Sequence, residues 1–232
     1  MTAEIRAALA GLSSDPAVLT ALERYVELFL ERNAAMNLSA ARDPSALAEH
    51  VRDSLAIARY VREPLVDVGS GGGFPAIPIV IATGIHATLI ESATKKARFL
   101  REVASDLDLP IEVRAERAED AARNPALRGT FSSATARAVS NTPTVLELTV
   151  PFLKVGGLAV LQRGRLDSAE RTAAADAALV LGAEIDEEIL ASEDGDRRVL
   201  LVRKIAATGP RFPRRAGVPA KRPLCYEAER DA

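Results

Sequence analysis

The stretch Leu65-Val66-Asp67-Val68-Gly69-Ser70-Gly71-Gly72-Gly73-Phe74-Pro75 predicts a short buried strand, a glycine turn and the start of a helix. Leu65, Val66 and Val68 are apolar and partly β-branched, which suits a central strand. From Gly69 to Gly73 no side chain exceeds a hydroxymethyl group. Such a turn admits positive φ and lets a ligand lie directly on the backbone. Pro75 fits the first turn of a helix, where its missing N–H leaves nothing unpaired. A strand ending this way is a nucleotide-type site in an open α/β sheet, with Gly69, Ser70 and Gly71 as candidate contacts. The dinucleotide fingerprint is half complete, because its third glycine position falls on Phe74. That favours a nucleoside ligand without a pyrophosphate. No Gly-Lys-Ser/Thr marks a P-loop.

Downstream, strands and helices alternate in the pattern of a parallel sheet. Residues 87–91 form a second predicted strand ending in Glu91, about 20 residues past the turn, where a carboxylate takes ribose hydroxyls. The alternative is an exposed strand-end carboxylate; the spacing and the apolar strand favour the ribose. Residues 95–107 are an amphipathic helix with Lys95 and Lys96 near the ligand edge. Residues 111–114 are a third strand, and residues 115–120 follow where such folds hold an adenine ring. Residues 131–138 are a fourth strand ending at Arg137, which faces the crevice at the carboxyl ends of the strands. Gly156-Gly157 predicts a turn before a fifth strand over 158–162, with Arg163, Gly164 and Arg165 at its carboxyl end. A helix is expected over 167–181. Segments 183–190 and 198–204 then pair around the hairpin turn Glu193-Asp194-Gly195-Asp196.

Upstream, residues 1–62 read as a helical extension. Asp15-Pro16 and Asp43-Pro44 are two helix starts, each a capping carboxylate followed by proline. Met36-Asn37-Leu38-Ser39 is an irregular connection between them. His50 and Asp53 share one face of the second helix. They are either a surface polar pair or a pair aimed at a substrate, and spacing does not choose. Residues 63–205 form the α/β domain and 206–232 a basic segment. From Arg203 to Arg222 there are seven basic residues and no acidic one, with recurrent proline and glycine. This is a solvated tail or a phosphate-contacting strap.

Composition bounds the function. A length of 232 residues suits one domain with a modest extension, and 48% hydrophobic residues supply a core. A net charge of −2 gives no global basic field. The lone Cys225 fits a reducing compartment. With no signal-like N-terminus and no membrane-length apolar run, a cytoplasmic protein without membrane contact is expected. Two histidines and one cysteine give zinc chemistry little support.

Several segments, taken in chain order, resemble one family. They are Asn37-Leu38-Ser39, His50 with Asp53-Ser54, the stretch 67–75, Ile77-Pro78, Glu91-Ser92, Lys95-Lys96, Arg98-Phe99-Leu100, Arg137-Ala138, Phe212-Pro213-Arg214-Arg215 and Lys221-Arg222-Pro223-Leu224. The chain resembles the small-subunit ribosomal RNA methyltransferase G family, also called glucose-inhibited division protein B. The resemblance implies a class I S-adenosylmethionine-dependent methyltransferase fold, a Rossmann-like sheet with helices on both faces. It implies S-adenosyl-L-methionine as cofactor and methylation of guanine N7 in 16S ribosomal RNA. The expected partner of this monomer is that RNA, within the small subunit or an assembly intermediate. By position, Gly69, Phe74, Ala118, Glu119 and Arg137 would contact the cofactor, beside Ser70, Gly71 and Glu91. Candidate RNA contacts are His50, Asp53, Arg163, Arg165, Arg214, Arg215, Lys221 and Arg222.

Two positions depart from the family pattern. Arg163 stands where lysine is frequent; it keeps the charge but is planar and does not lose its proton. Ala76 stands where glycine is common. Guanine N7 already carries an in-plane lone pair, so alignment and desolvation suffice without a dedicated base. That agrees with a sequence holding no nucleophile–base pair. The alternatives are a methyltransferase of another small molecule or protein, disfavoured by the basic segment, and a non-catalytic RNA-binding regulator, disfavoured by the intact glycine turn. A nicotinamide oxidoreductase is disfavoured by Phe74.

Overall fold

A computed structural model describes residues 2–38, 40–137, 139–191 and 197–225. Ser39, Ala138 and the predicted hairpin turn 193–196 lie outside the described residues. Three helices open the chain: α1 (Thr2–Leu9), α2 (Pro16–Met36) and α3 (Pro44–Ile57). The Asp15 carboxylate accepts the Ala17 N–H at 2.8 Å and Asp43 accepts that of Ala46 at 2.9 Å. Each cap precedes a proline whose fixed φ already suits the first helical turn.

The rest alternates: β1 (Leu65–Val68), α4 (Ala76–Thr83), β2 (Ala87–Ile90), α5 (Thr94–Asp106), β3 (Ile111–Arg114), α6 (Ala118–Ala121), β4 (Phe131–Arg137), α7 (Thr142–Thr149), β5 (Leu153–Arg163), α8 (Ser168–Val180), β6 (Ala183–Leu190), β7 (Arg198–Lys204) and α9 (Val218–Lys221). The seven strands lie in the order β3-β2-β1-β4-β5-β7-β6. β1 to β5 are parallel, and β7 is inserted antiparallel between β5 and β6. The chain leaves β1 toward β2 on one side and returns to β4 on the other. This reversal is the switch point beside which open sheets bind ligands.

Strand alternation divides the core. Leu65 joins Tyr25, Phe29, Leu47, Ile77 and Phe99 on one face. Val66 and Val68 join Phe131, Leu146, Phe152 and Ala177 on the other. The N-terminal helices therefore share one apolar layer with α4 and α5, while α6, α7 and α8 cover the opposite face. Each such buried side chain contributes about 1.5–3 kcal/mol against the entropy of ordering it.

Two local differences from expectation have physical causes. Pro75 occupies the position before α4 rather than its first turn. Gly156 and Gly157 lie inside β5, not ahead of it: pairing jumps from Phe131↔Leu153 to Ser133↔Leu158, so the strand buckles between. A Cβ on Gly157 would sit 2.9 Å from the Lys154 carbonyl oxygen, so only glycine fits the buckle.

The C-terminal segment is no solvated tail over its described part. The Arg128 guanidinium donates to the carbonyls of Thr208, Gly209 and Phe212 at 2.8–3.1 Å. Phe212 is buried in the second core layer. Arg214 grips the fully buried Glu147 carboxylate, with Nη2 at 2.6 Å from Oε2. Its charge is thus neutralised locally, against the expectation from sequence. The cause is long-range, since Glu147 stands on α7.

Candidate functional site

The turn after β1 lies at the switch point. Gly69 and Gly71 both have positive φ, 71° and 56°. The hydroxyl of Tyr25, on α2, donates to the Gly72 carbonyl at 2.7 Å. A Cβ on Gly72 would run into the Phe29 ring, so this glycine is small to admit a neighbouring helix rather than a ligand. At Gly71 the nearest obstacle to a Cβ is 3.8 Å away, so the open main chain of the turn is there.

Glu91 follows β2 and folds back on this turn. One oxygen accepts the Gly71 N–H at 2.8 Å and the other the Ala93 N–H at 2.7 Å. Each carboxylate oxygen keeps a further lone pair for a hydroxyl donor. Beside it lies a cavity of about 170 Å³ bounded by Gly69, Ile90, Ala118, Glu119, Thr144 and Gly217, among others. Glu119 accepts the Gly217 N–H at 2.8 Å, so the C-terminal segment forms one wall of this cavity.

Asp67, on β1 just before the turn, is a buried acidic residue that sequence reasoning does not single out. It is 1% exposed and its Oδ1 accepts the Thr135 hydroxyl at 2.7 Å. Its Oδ2 is buried without a partner. Burial, which disfavours the charged form, pushes this carboxyl up to about 7, and the Thr135 hydrogen bond opposes the rise. The signal available in the sequence is an acidic residue inside an otherwise apolar strand.

A second cavity, about 630 Å³, opens between α3 and the ends of β4 and β5. His50, Asp53, Arg137, Ser140, Gln162, Arg163 and Arg197 line it. Arg137 approaches His50 Nδ1 with Nη2 at 2.6 Å. A guanidinium only donates, so Nδ1 accepts and the neutral ring carries its proton on Nε2. Burial first, then the Arg137 charge, lowers His50 to about 4, so it is neutral at pH 7. The Phe74 ring supports both, 5.3 Å from the His50 ring and 5.7 Å from the Arg137 guanidinium. Burial also lowers the pKa of Arg137, whose Nη1 is buried without a partner.

Asp53 pairs with Arg197 Nη1 at 2.7 and 2.9 Å. Gln162 donates through Nε2 to the Asp53 carbonyl at 2.9 Å, and its Oε1 is buried without a partner. A carbonyl can only accept, which fixes the amide's orientation. Sequence reasoning misses Gln162 and Arg197; no local pattern marks them, because tertiary pairing brings them here.

Arg163 is 11% exposed at its side chain and occupied by protein. It donates to the Ser140 carbonyl at 2.6 Å, the Thr142 hydroxyl at 3.1 Å and Glu170 at 3.2 Å. It brackets the loop after β4 to α8. Val139 and Ser140 in that loop line both cavities, making one crevice of two halves. The structure thus brings together Gly69, Ser70, Gly71, Phe74, Glu91, Ala118, Glu119, Arg137, His50 and Asp53. Arg165, Arg215, Lys221 and Arg222 are exposed, and Arg214 is held by Glu147.

Residues 18–200 match the GidB family, described as rRNA small subunit methyltransferase G. Proteins named ribosomal RNA small subunit methyltransferase G share this sequence widely. The one from Chloroflexus aggregans is 41% identical over 87% of this chain and 88% of its own. That from Geobacillus thermodenitrificans is 37% identical over 92% and 94%, and that from Leuconostoc mesenteroides 35% identical over 93% and 95%. Among solved structures, the Thermus thermophilus branched-chain polyamine synthase in complex with N4-aminopropylspermidine and 5'-methylthioadenosine superposes with a TM-score of 0.60 at 14% identity, over 83% of this chain and 65% of that one. A point mutant of MtNAS in complex with S-adenosylmethionine gives 0.52 at 14% identity, over 81% and 78%. These two share the fold. The sequence matches go further, running from α2 into β7 and along nearly the whole of each relative: the chain belongs to the ribosomal RNA small subunit methyltransferase G family.

Proposed function

We propose that this protein transfers a methyl group from S-adenosyl-L-methionine to N7 of a guanine in 16S ribosomal RNA. The observation that carries the proposal is the divided crevice at the switch point. One half is lined by backbone and carboxylates, the other by cations and a neutral imidazole, and one loop joins them.

The residues present fit the cofactor. The unpartnered Asp67 Oδ2 suits a cationic group, and Glu91 retains acceptor capacity for ribose hydroxyls. Gly69, Ser70, Gly71 and Phe74 form the bed of the site. Ala118 and Glu119 border the cavity that would take the base, and Arg137 closes the site toward the RNA. Bound there, S-adenosylmethionine supplies an electrophilic methyl group on a sulfonium.

The chain's own work is alignment. Guanine N7 needs no proton removed before it attacks, so the reaction asks for no dedicated base. Neutral His50 offers an Nε2–H donor, Arg137 an unsatisfied Nη1 donor and Gln162 an unsatisfied acceptor. Together they can orient a base that has both donors and acceptors on its edges. Arg163 acts one step back, as a positioning residue that fixes the Val139–Ser140 loop. Exposed Arg165, Arg215, Lys221 and Arg222 hold the RNA backbone as sequence-independent phosphate contacts. Arg214 serves the fold. The protein works as a cytoplasmic monomer on the small ribosomal subunit or an assembly intermediate.

The test is incubation with methyl-labelled S-adenosylmethionine and small ribosomal subunits, followed by mapping of label on the RNA. Label on a single guanine of 16S RNA is expected. Label confined to ribosomal protein would overturn the proposal.

A further inference from the structure

A second basic concavity lies at the opposite end of the sheet, at the amino ends of the parallel strands. It has a volume of about 390 Å³ and is lined by Arg59, Arg62, Lys154 and Arg203, with the bare backbone of Gly156 and Gly157 between them. The buckle in β5 makes this hollow. A Cβ on Gly156 would meet nothing within 4 Å, so the main chain there is open to an extended ligand, whereas Gly157 is bare to let the strands close on each other. From Ser133, which lines the hollow, β4 runs four residues on to Arg137, roughly 13 Å at about 3.3 Å per residue, and the two cavities share no lining residue. The hollow is therefore separate from the crevice.

Its cations lack the carboxylate partners that several other surface arginines have. Arg6, Arg24, Arg32, Arg114 and Arg171 each pair with a carboxylate elsewhere on the molecule. In the hollow only Arg203 does so, with Asp186. Arg62 donates to the carbonyls of Arg59 and Val61, which leaves its charge uncompensated. Arg59 stacks over Tyr60, and among the described residues no carboxylate lies within ion-pair distance of Arg59, Arg62 or Lys154. No carboxylate lines the hollow. On a chain of net charge −2, three exposed cations without carboxylate partners converge on this one concavity.

We infer that this hollow is a second docking surface for the phosphate backbone of the RNA substrate, remote from the methylated base. The identity of the polyanion rests on the function proposed above. Phosphates displace counterions from such a cluster without reading bases, so the surface adds affinity and register but no sequence preference. It lets one RNA be gripped at both ends of the sheet, which a particle-sized substrate can span and a nucleoside cannot.

The test uses the full chain and a transcript of 16S ribosomal RNA. Affinity is measured against salt for wild type, for Arg59→Gln/Arg62→Gln/Lys154→Gln, and for Lys154→Glu alone, which disturbs no hydrogen bond of the fold. The triple variant should lower the log–log salt slope by about two and weaken binding at least tenfold at ~0.15 M salt. Lys154→Glu should shift both in the same direction by less. Cofactor affinity and single-turnover methylation at saturating RNA should stay at wild-type values. An unchanged slope and affinity in both variants overturn the inference. Methyl transfer by wild type is read in parallel: transfer with unchanged variant binding removes only the second surface. A reduced slope without any transfer removes only the proposed reaction.

Discussion

The two halves of the crevice are built from different materials. Around Gly69–Gly73 and Glu91 the wall is main chain, and its polar atoms are held by short bonds such as Gly71 N–H to Glu91. Across the Val139–Ser140 loop the wall is made of long side chains sent from α3, β4, β5 and the start of β7. There Arg137 Nη1 and Gln162 Oε1 remain unpaired. On the proposed function, the first half would be preorganised for the cofactor and the second would keep donors and acceptors for the target base. One atom breaks this division, Asp67 Oδ2, which is buried without a partner on the strand that leads into the turn.

The largest effect should come from the support of the first half. Arg214→Gln leaves the Glu147 carboxylate, 0% exposed, without its cation. A loss of about 3–5 kcal/mol of stability is expected in chemical denaturation, whereas Arg215→Gln should cost nearly nothing. Equal stability of the two would mean that Arg214 is a surface contact after all. Next, Arg137→Ala should cut single-turnover methylation on the order of 100-fold, because it removes the donor that aligns His50 and the base. Its melting temperature should move little; full turnover would make Arg137 structural only.

Gly71→Val should weaken cofactor binding by about tenfold or more, since a branched side chain there meets both a positive φ and the ligand bed. Calorimetric titration of the folded variant checks this, and unchanged affinity would remove the turn from the site. Arg163→Ala should lower turnover at saturating RNA by roughly tenfold, a misplacement effect. Arg163→Lys should restore part of it, because the bracket needs several donors rather than charge alone. An equal rise in KM with kcat intact would instead make Arg163 an RNA contact.

A further effect is a pH dependence. Asp67 titrates near 7 in the fold and at 3.8 ordinarily, so the folded chain binds its proton more tightly. The stability this confers is complete below about pH 4 and is lost as pH rises to about 7. Asp67→Asn should therefore gain stability relative to wild type as pH rises through that window. His50, held near 4 against an ordinary 6.5, works the other way: stability falls as pH drops through 6.5 toward 4. Thermal melts at both ends of the window check the sign. A constant offset between Asp67→Asn and wild type would show that Asp67 is not the titrating group.

Legibility in the sequence follows the same division. Helix starts at Asp15 and Asp43, the parallel strands and the turn at Gly69 are written in contiguous residues, and their local chemistry is decisive. Glu91 is legible because a strand of fixed rise delivers it to the turn. Gln162, Arg197 and the partner of Arg214 are not, because each depends on which distant side chain tertiary packing presents. Arg163 is legible as a cation at the right strand end, but its three protein partners come from residues 140, 142 and 170. The buckle at Gly156 and Gly157 has the same origin: two adjacent glycines signal a turn, and only pairing with β4 converts them into an irregularity within a strand.

The central claim is methyl transfer to guanine N7 by alignment alone. The most direct measurement compares small subunits assembled on 16S RNA transcribed with GTP against those assembled on the same RNA transcribed with 7-deaza-GTP, which keeps the pairing edge and replaces N7 by a carbon. Methyl label should enter the first and be absent from the second, with both RNAs bound at similar affinity. Equal labelling of the two would place the methyl group on another atom and contradict the account.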